Sequence, residues 1–295
     1  MDRNKVRPAP LTSESITLFP SRLLMKTSVL LAHAIAAIGL FALPCHAAEK
    51  AKLILSEDFE STPVGEIPKG FSKVGAVAVT EETAHSGKKC LKIEPAQKGA
   101  RKITKTGAEL AALGGEHWGR MYLKVKLPTP VPVVPEGKKS AVIHSTMVDA
   151  QATSPLFHDP INLRLVSSCT NPKGESNYLF NVQPKKERKE FGKSTKYNYH
   201  FSDEWTLVEW HLDNTTQTYQ LFLNGQEVSD ACFSKGAGKL EGAEIPDVLD
   251  SISFGWTNYQ PAPEGQSFTA WIDDIALSKE RIGDQGAGKL AQAKR

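Results

Sequence analysis

The strongest constraint on this chain is a rhythm of two. From residue 52 onward, apolar side chains recur at alternate positions in short runs. Gly, Pro, Asn and Asp separate these runs, and no long 3.6-residue periodicity interrupts them. Alternation puts successive side chains on opposite faces of a strand. Many short strands with regular turn signals read as an all-β sandwich or barrel. The expected strands are Lys52–Phe59, Ala76–Thr80, Lys89–Glu94, Gly119–Leu127, Ser140–Val148, Ile161–Val166, Tyr178–Val182, Thr206–Leu212, Thr218–Leu223, Asp250–Trp256 and Phe268–Leu277. Asn224-Gly225 predicts a tight hairpin, since both residues tolerate positive φ. Ala108–Leu113 reads as one helical turn, and the proline-rich Pro128–Pro135 as a stiff connector.

The first 47 residues have a different character. Lys26 precedes an apolar run, Val29–Leu43, and Ala47 follows as a small-residue exit. That order is expected of a secretory signal over residues 25–47. Residues 1–24 read as an upstream extension, with Met25 as the working start. Cleavage after Ala47 leaves 248 of the 295 residues, which suits one sandwich domain over residues 50–283. The apolar-poor segment 284–295 is expected to be a disordered tail. The chain carries 36 Lys and Arg against 33 Asp and Glu. Residues 1–47 hold five and two of these, so the remainder balances at 31 of each. Nothing in that balance points to nucleic acid, or to a membrane surface once the signal is removed. A charged run, Lys185–Glu190, reads as a solvated loop. Export permits one disulfide among Cys90, Cys169 and Cys232; buried apolar cysteines are the competing reading.

Alternation also sorts the faces. In Trp118–Val125 the core set is Met121, Leu123 and Val125, which leaves Trp118, Arg120, Tyr122 and Lys124 outside. Ile143 and Met147 place His144 and Thr146 outside. Ile161, Leu163 and Leu165 place Asn162 and Arg164 outside. If these strands are neighbours in one sheet, Arg120, Tyr122, His144 and Arg164 form a cationic, aromatic-bearing surface. Such a surface suits a sugar, because guanidinium forks grip carboxylates at two points. Acidic residues gather at the chain ends, with Glu57, Asp58 and Glu60 near the first strand and Asp273 and Asp274 in the last. If first and last strands pair, a structural calcium ion would relieve their repulsion.

Several motifs occur in order: DFE at Asp58–Glu60, AHSGKKCLKI at Ala84–Ile93, VEWHLD at Val208–Asp213, LFLNGQEV at Leu221–Val228, SFGW at Ser253–Trp256 and WIDDIALSKERIG at Trp271–Gly283. Together they resemble the core domain of the secreted cellulose-induced protein family. The resemblance implies a concanavalin A-like jelly-roll β-sandwich with a concave groove, similar in architecture to alginate and glucuronan lyases. It implies calcium held by Glu60, by Asp273 or Asp274, and by backbone oxygens near Ser86 and Lys89. It places Arg120, His144 and Arg164 in the groove, with His144 on the strand that carries a catalytic histidine. Two departures stand out: Asp284 follows Gly283 where a cysteine is common, and Val142 stands where a lyase has glutamine.

These expectations lead to polysaccharide as the partner and to β-elimination on a uronate-containing glycan as the activity. His144 would be the base, Arg120 or Arg164 the carboxylate neutraliser, and Tyr122, Tyr197 or Tyr199 the proton donor. The alternative is a non-catalytic carbohydrate-binding module using the same surface. A glycoside hydrolase needs two facing carboxylates, and Asp149 and Glu209 read as isolated.

Overall fold

The computed structural model describes residues 51–153, 159–183, 191–232 and 245–284. The expected signal over residues 25–47, the charged run 185–190 and most of the expected tail lie outside them. Among the described residues, two antiparallel sheets form an all-β jelly-roll sandwich. The first has eight strands, in the order β13 (Gln226–Glu227), β12 (Thr218–Leu223), β11 (Thr206–Asp213), β6 (Glu116–Val125), β15 (Phe268–Ser278), β4 (Cys90–Ala96) and β3 (Val77–Thr80); β1 (Leu53–Glu57) also pairs with β15. The second has seven, in the order β10 (Phe191–Ser194), β9 (Ser176–Gln183), β8 (Ile161–Thr170), β7 (Ile143–Ala152), β14 (Ser251–Asn258), β5 (Gly99–Thr106) and β2 (Phe71–Val74).

The core lies between the sheets and is made by the inward halves of the alternating runs. Met121, Leu123 and Val125 of β6 join Leu163 and Leu165 of β8 and Phe254 and Trp256 of β14. The expected core sets of β6 and β8 therefore face inward, as do Ile143 and Met147 of β7. The expected hairpin forms between β12 and β13, with φ of 49° at Asn224 and 78° at Gly225. Helix α1 (Ala108–Ala111) supplies the expected helical turn. Gly119 of β6 has a packing reason: an added Cβ would lie 2.1 Å from the buried Trp210 ring.

Four strands, β2, β5, β10 and β13, lie outside the expected runs, and β5 shows how alternation can miss one. Ile103 is its only large apolar residue, because the neighbouring inward position holds Arg101. That guanidinium donates to the carbonyls of Glu94 (where the distance is 2.5 Å) and Phe268 at 2.9 Å, and to Asn258 Oδ1 at 2.7 Å. It ties β4 and β15 of one sheet to β14 of the other. A buried cation bonded through both terminal nitrogens leaves no apolar signature. At the far edge, β2 reads Phe-Ser-Lys-Val and is largely exposed.

Strand β15 has β6 along one side. Its first half pairs with β4 as far as Ile272, and its second half pairs with β1 from Ile275. The first and last strands do pair, which is the condition under which the acidic ends were expected to meet. Between the halves sits a bulge at Asp273 and Asp274, with Asp274 at φ 48°. Both carboxylates are buried there.

Candidate functional site

The structure separates the residues expected to converge. His144 and Arg164 stand on the outer face of the seven-stranded sheet, on β7 and β8. Arg120 and Tyr122 stand on the outer face of the eight-stranded sheet, on β6. Alternation places a side chain outside a sheet but does not say which sheet, and the two outer faces of a sandwich look away from each other. Arg120 and Tyr122 are also engaged elsewhere. Arg120 Nη1 donates to the Gly283 carbonyl at 2.8 Å, and the Tyr122 hydroxyl donates to Asp284 Oδ1 at 2.6 Å. Glu209 takes the Gly283 N–H at 2.9 Å and Arg281 Nη2 at 3.1 Å. Residues 281–284 are thus fastened across the outer face of β6 and β11. Asp284, expected to begin a free tail, is part of this clasp. Burial and Asp284 push the Tyr122 hydroxyl's pKa well above its usual range.

On the opposite side of the sandwich a second cluster forms. Ile143, the first residue of β7, points into the core, and His144 follows it. Its backbone carbonyl accepts the Tyr259 N–H at 3.0 Å, extending the β7–β14 ladder past its last strand pair. Its own N–H donates to Gln260 Oε1 at 2.7 Å. The His144 and Tyr259 rings lie 4.8 Å apart at 47°. Arg164 Nε donates to the Tyr259 hydroxyl at 3.1 Å, and its guanidinium carbon lies 4.3 Å from that ring's centre. A base, a phenol and a guanidinium therefore meet around Tyr259.

Other groups extend this face. Asp149 lies directly opposite Arg164 across the β7–β8 ladder. Lys102 of β5 reaches over β14 to both oxygens of Asp149, at 2.7 and 2.8 Å. That reach crosses Gly255, where a Cβ would collide with Lys102 Cα at 2.5 Å. Cys169 pairs with His144 across the ladder. Burial pushes its thiol up to about 11, against the opposing pull of Arg164 and a hydrogen bond from Tyr197. Tyr197 thus reaches this face. Tyr199 does not: it packs on the core, edge-on to Tyr178 at 5.3 Å. A single intervening residue would put both rings on one side of a strand, but this segment lies outside the named strands. A neighbouring hollow of about 670 Å³ is lined by Pro132, Val133, Val142, Gln260 and Pro261, among others.

Tyr259 was missed from the sequence because the expected strand ended at Trp256. The signal was present: Ser253, Gly255, Thr257 and Tyr259 continue the outward register of β14, opposite inward Ile252, Phe254 and Trp256.

The residues that the resemblance assigned to calcium also come to one region. Glu60 Oε1 accepts the N–H groups of Lys88 and Lys89 at 2.8 and 2.7 Å. Asp273 Oδ2 accepts those of His85 and Ser86 at 2.8 and 3.2 Å. Asp274 meets His85 Nδ1 at 2.7 Å and the Ser86 hydroxyl at 3.0 Å. Burial, then the Asp274 charge, raises the Asp273 carboxyl to about 8. Among the described residues, no group of three or more His, Cys, Asp or Glu side chains is placed to hold a metal ion. No disulfide joins Cys90, Cys169 and Cys232.

No protein-family model matches the chain, and no curated protein matches it. Among solved structures the chain is similar to the cellulose-induced protein Cip1, with 18% identity and a TM-score of 0.50, over 78% of this chain and 99% of that one. The botulinum neurotoxin serotype G binding domain gives a TM-score of 0.47 at 12% identity, over 82% of this chain and 51% of that one. The binding domain of botulinum neurotoxin DC, in complex with rat synaptotagmin II, gives 0.45 at 12%, over 76% and 46%. The chain spans about half the length of these toxin chains. What the likeness to Cip1 establishes is the architecture: this protein has the Cip1 fold, an all-β jelly-roll sandwich.

Proposed function

We propose that this is a secreted carbohydrate-active protein that binds a uronate-containing polysaccharide on the outer face of its seven-stranded sheet and cleaves it by β-elimination at His144, Tyr259 and Arg164. The observation that carries this reading is the Tyr259 hydroxyl, held by Arg164 at 3.1 Å with the His144 ring alongside. Elimination needs three services at one sugar ring. A cation must draw charge from the carboxylate, so that the adjacent C5 proton becomes acidic. Arg164 is suited to this, since a planar guanidinium fork matches the geometry of a carboxylate. A base must remove the proton, and neutral imidazole does this near neutral pH. A donor must protonate the departing O4 as the C4–O bond breaks and the C4–C5 double bond forms. The Tyr259 hydroxyl is that donor. Lys102 and Asp149 continue the charged face and would position further sugar units.

Secretion is supported by the leader expected over residues 25–47. No helix of the described residues is long and apolar enough to cross a membrane.

A binding module on the same face is the competing reading, and one panel separates the two. Glucuronan, alginate and a neutral glucan are each offered to the protein, and retention and the absorbance of unsaturated ends are recorded together. The proposal predicts retention and new unsaturated ends on at least one uronan, and neither on the neutral glucan. Retention without product on every uronan assigns the face to binding alone.

A further inference from the structure

We propose that the Lys89 ammonium is this protein's resident cation, standing where the jelly rolls it resembles are expected to hold calcium, and that the chain reaches full stability without a divalent ion.

The eight-stranded sheet has a gap along β15, between its pairing with β4 and its pairing with β1. Where β4 gives way to β1 along β15, the 81–89 loop must be joined to both chain ends. Three acids gather there, Glu60, Asp273 and Asp274, and calcium would satisfy them with six to eight oxygens at about 2.3–2.6 Å. The oxygens present are turned to another use. Lys89 Nζ donates to the backbone carbonyls of Glu60 at 3.2 Å and Thr62 at 3.0 Å. Two carbonyls converging on one cationic centre have the arrangement a metal would impose, but the centre is an ammonium.

The carboxylates are likewise given to N–H donors. Glu60 spans from its own turn to the backbone of Lys88 and Lys89, and its carboxylate lies over Gly87, where a Cβ would come within 2.5 Å of it. Asp273 holds the loop at His85 and Ser86, and Oδ1 takes the Asp274 N–H at 2.8 Å. Asp274 closes the set through the His85 ring and the Ser86 hydroxyl. The loop is therefore fastened both to the turn that follows β1 and to β15 without a bridging ion. A calcium ion entering beside Glu60 would face the fixed positive charge of Lys89 and lose the two carbonyls it holds. The residues do not fit a divalent ion as they stand.

The test uses the full mature chain and does not depend on any activity, so it stands or falls apart from the elimination proposal. Thermal unfolding is followed in excess EDTA and in about 5 mM calcium chloride, above the weakest extracellular calcium sites. The expected result is one melting temperature in both solutions, together with a fall of roughly 5 °C in Lys89→Met, which keeps the stem and removes the charge. A clear rise of the wild-type melting temperature with calcium overturns the proposal, and this arm needs no variant to fold. So does a Lys89→Met protein that melts with the wild type.

Discussion

Tyr259 illustrates how one residue organises a site through contacts in several directions. Its backbone closes the ladder with His144, its ring lies beside that imidazole, and its hydroxyl is taken by Arg164. His117 shows the opposite arrangement, a histidine with no freedom to titrate. It is buried in β6 and accepts the Trp210 indole N–H at 3.3 Å. Burial, then the neighbouring His211, lowers its pKa to about 3 from an ordinary 6.5. The unfolded chain therefore binds a proton that the folded chain refuses. Stability from this residue is complete above about pH 6.5 and is lost as pH falls toward 3. At pH 5 the loss is about 2 kcal/mol. His117→Gln is expected to flatten the fall in melting temperature between pH 7 and about pH 5; an unchanged slope in the variant would contradict the assignment.

At the scale of elements, the sheets hold together where rigid groups approach closely. Gly119 lets β6 pass against the Trp210 ring, which is fully buried and cannot retreat. Gly119→Ala is expected to cost about 2–3 kcal/mol in denaturant unfolding, as overpacking does in a filled core. A cost near zero would mean the ring has room that the packing denies. The strands that read clearly from the sequence are those whose inward positions are all apolar. Thr218–Leu223 was delimited to the residue, and the core sets of β6 and β8 were assigned to the correct face. Strand β5 was not legible because Arg101 fills an inward place, where its terminal nitrogens bond to three partners. The site was half legible for a related reason. Alternation identified His144 and Arg164 as outward residues, but sheet membership depends on long-range pairing that no local pattern encodes. It therefore grouped them with Arg120 and Tyr122, which β11 and β15 draw into the other sheet. Tyr259 was overlooked for a local reason: the strand end was set two residues early, and Tyr259 lies just past the true end.

For the whole molecule, the two outer faces of the sandwich differ in what lies on them. The eight-stranded sheet is covered by its own chain: residues 281–284 clasp Arg120, Tyr122 and Glu209, and the 81–89 loop is pinned to both chain ends. The seven-stranded sheet presents the polar cluster of His144, Tyr259, Arg164, Asp149 and Lys102. A glycan-processing centre on that second face is the central claim. It is tested most directly by the initial rate of unsaturated-product formation on a uronan, compared between wild type, Tyr259→Phe and Lys124→Ala. The account predicts a fall of about 100-fold or more in Tyr259→Phe, the usual cost of removing a positioned acid or base. Lys124→Ala, on the eight-stranded sheet, is predicted to keep the wild-type rate. A Tyr259→Phe protein as fast as wild type would contradict the account.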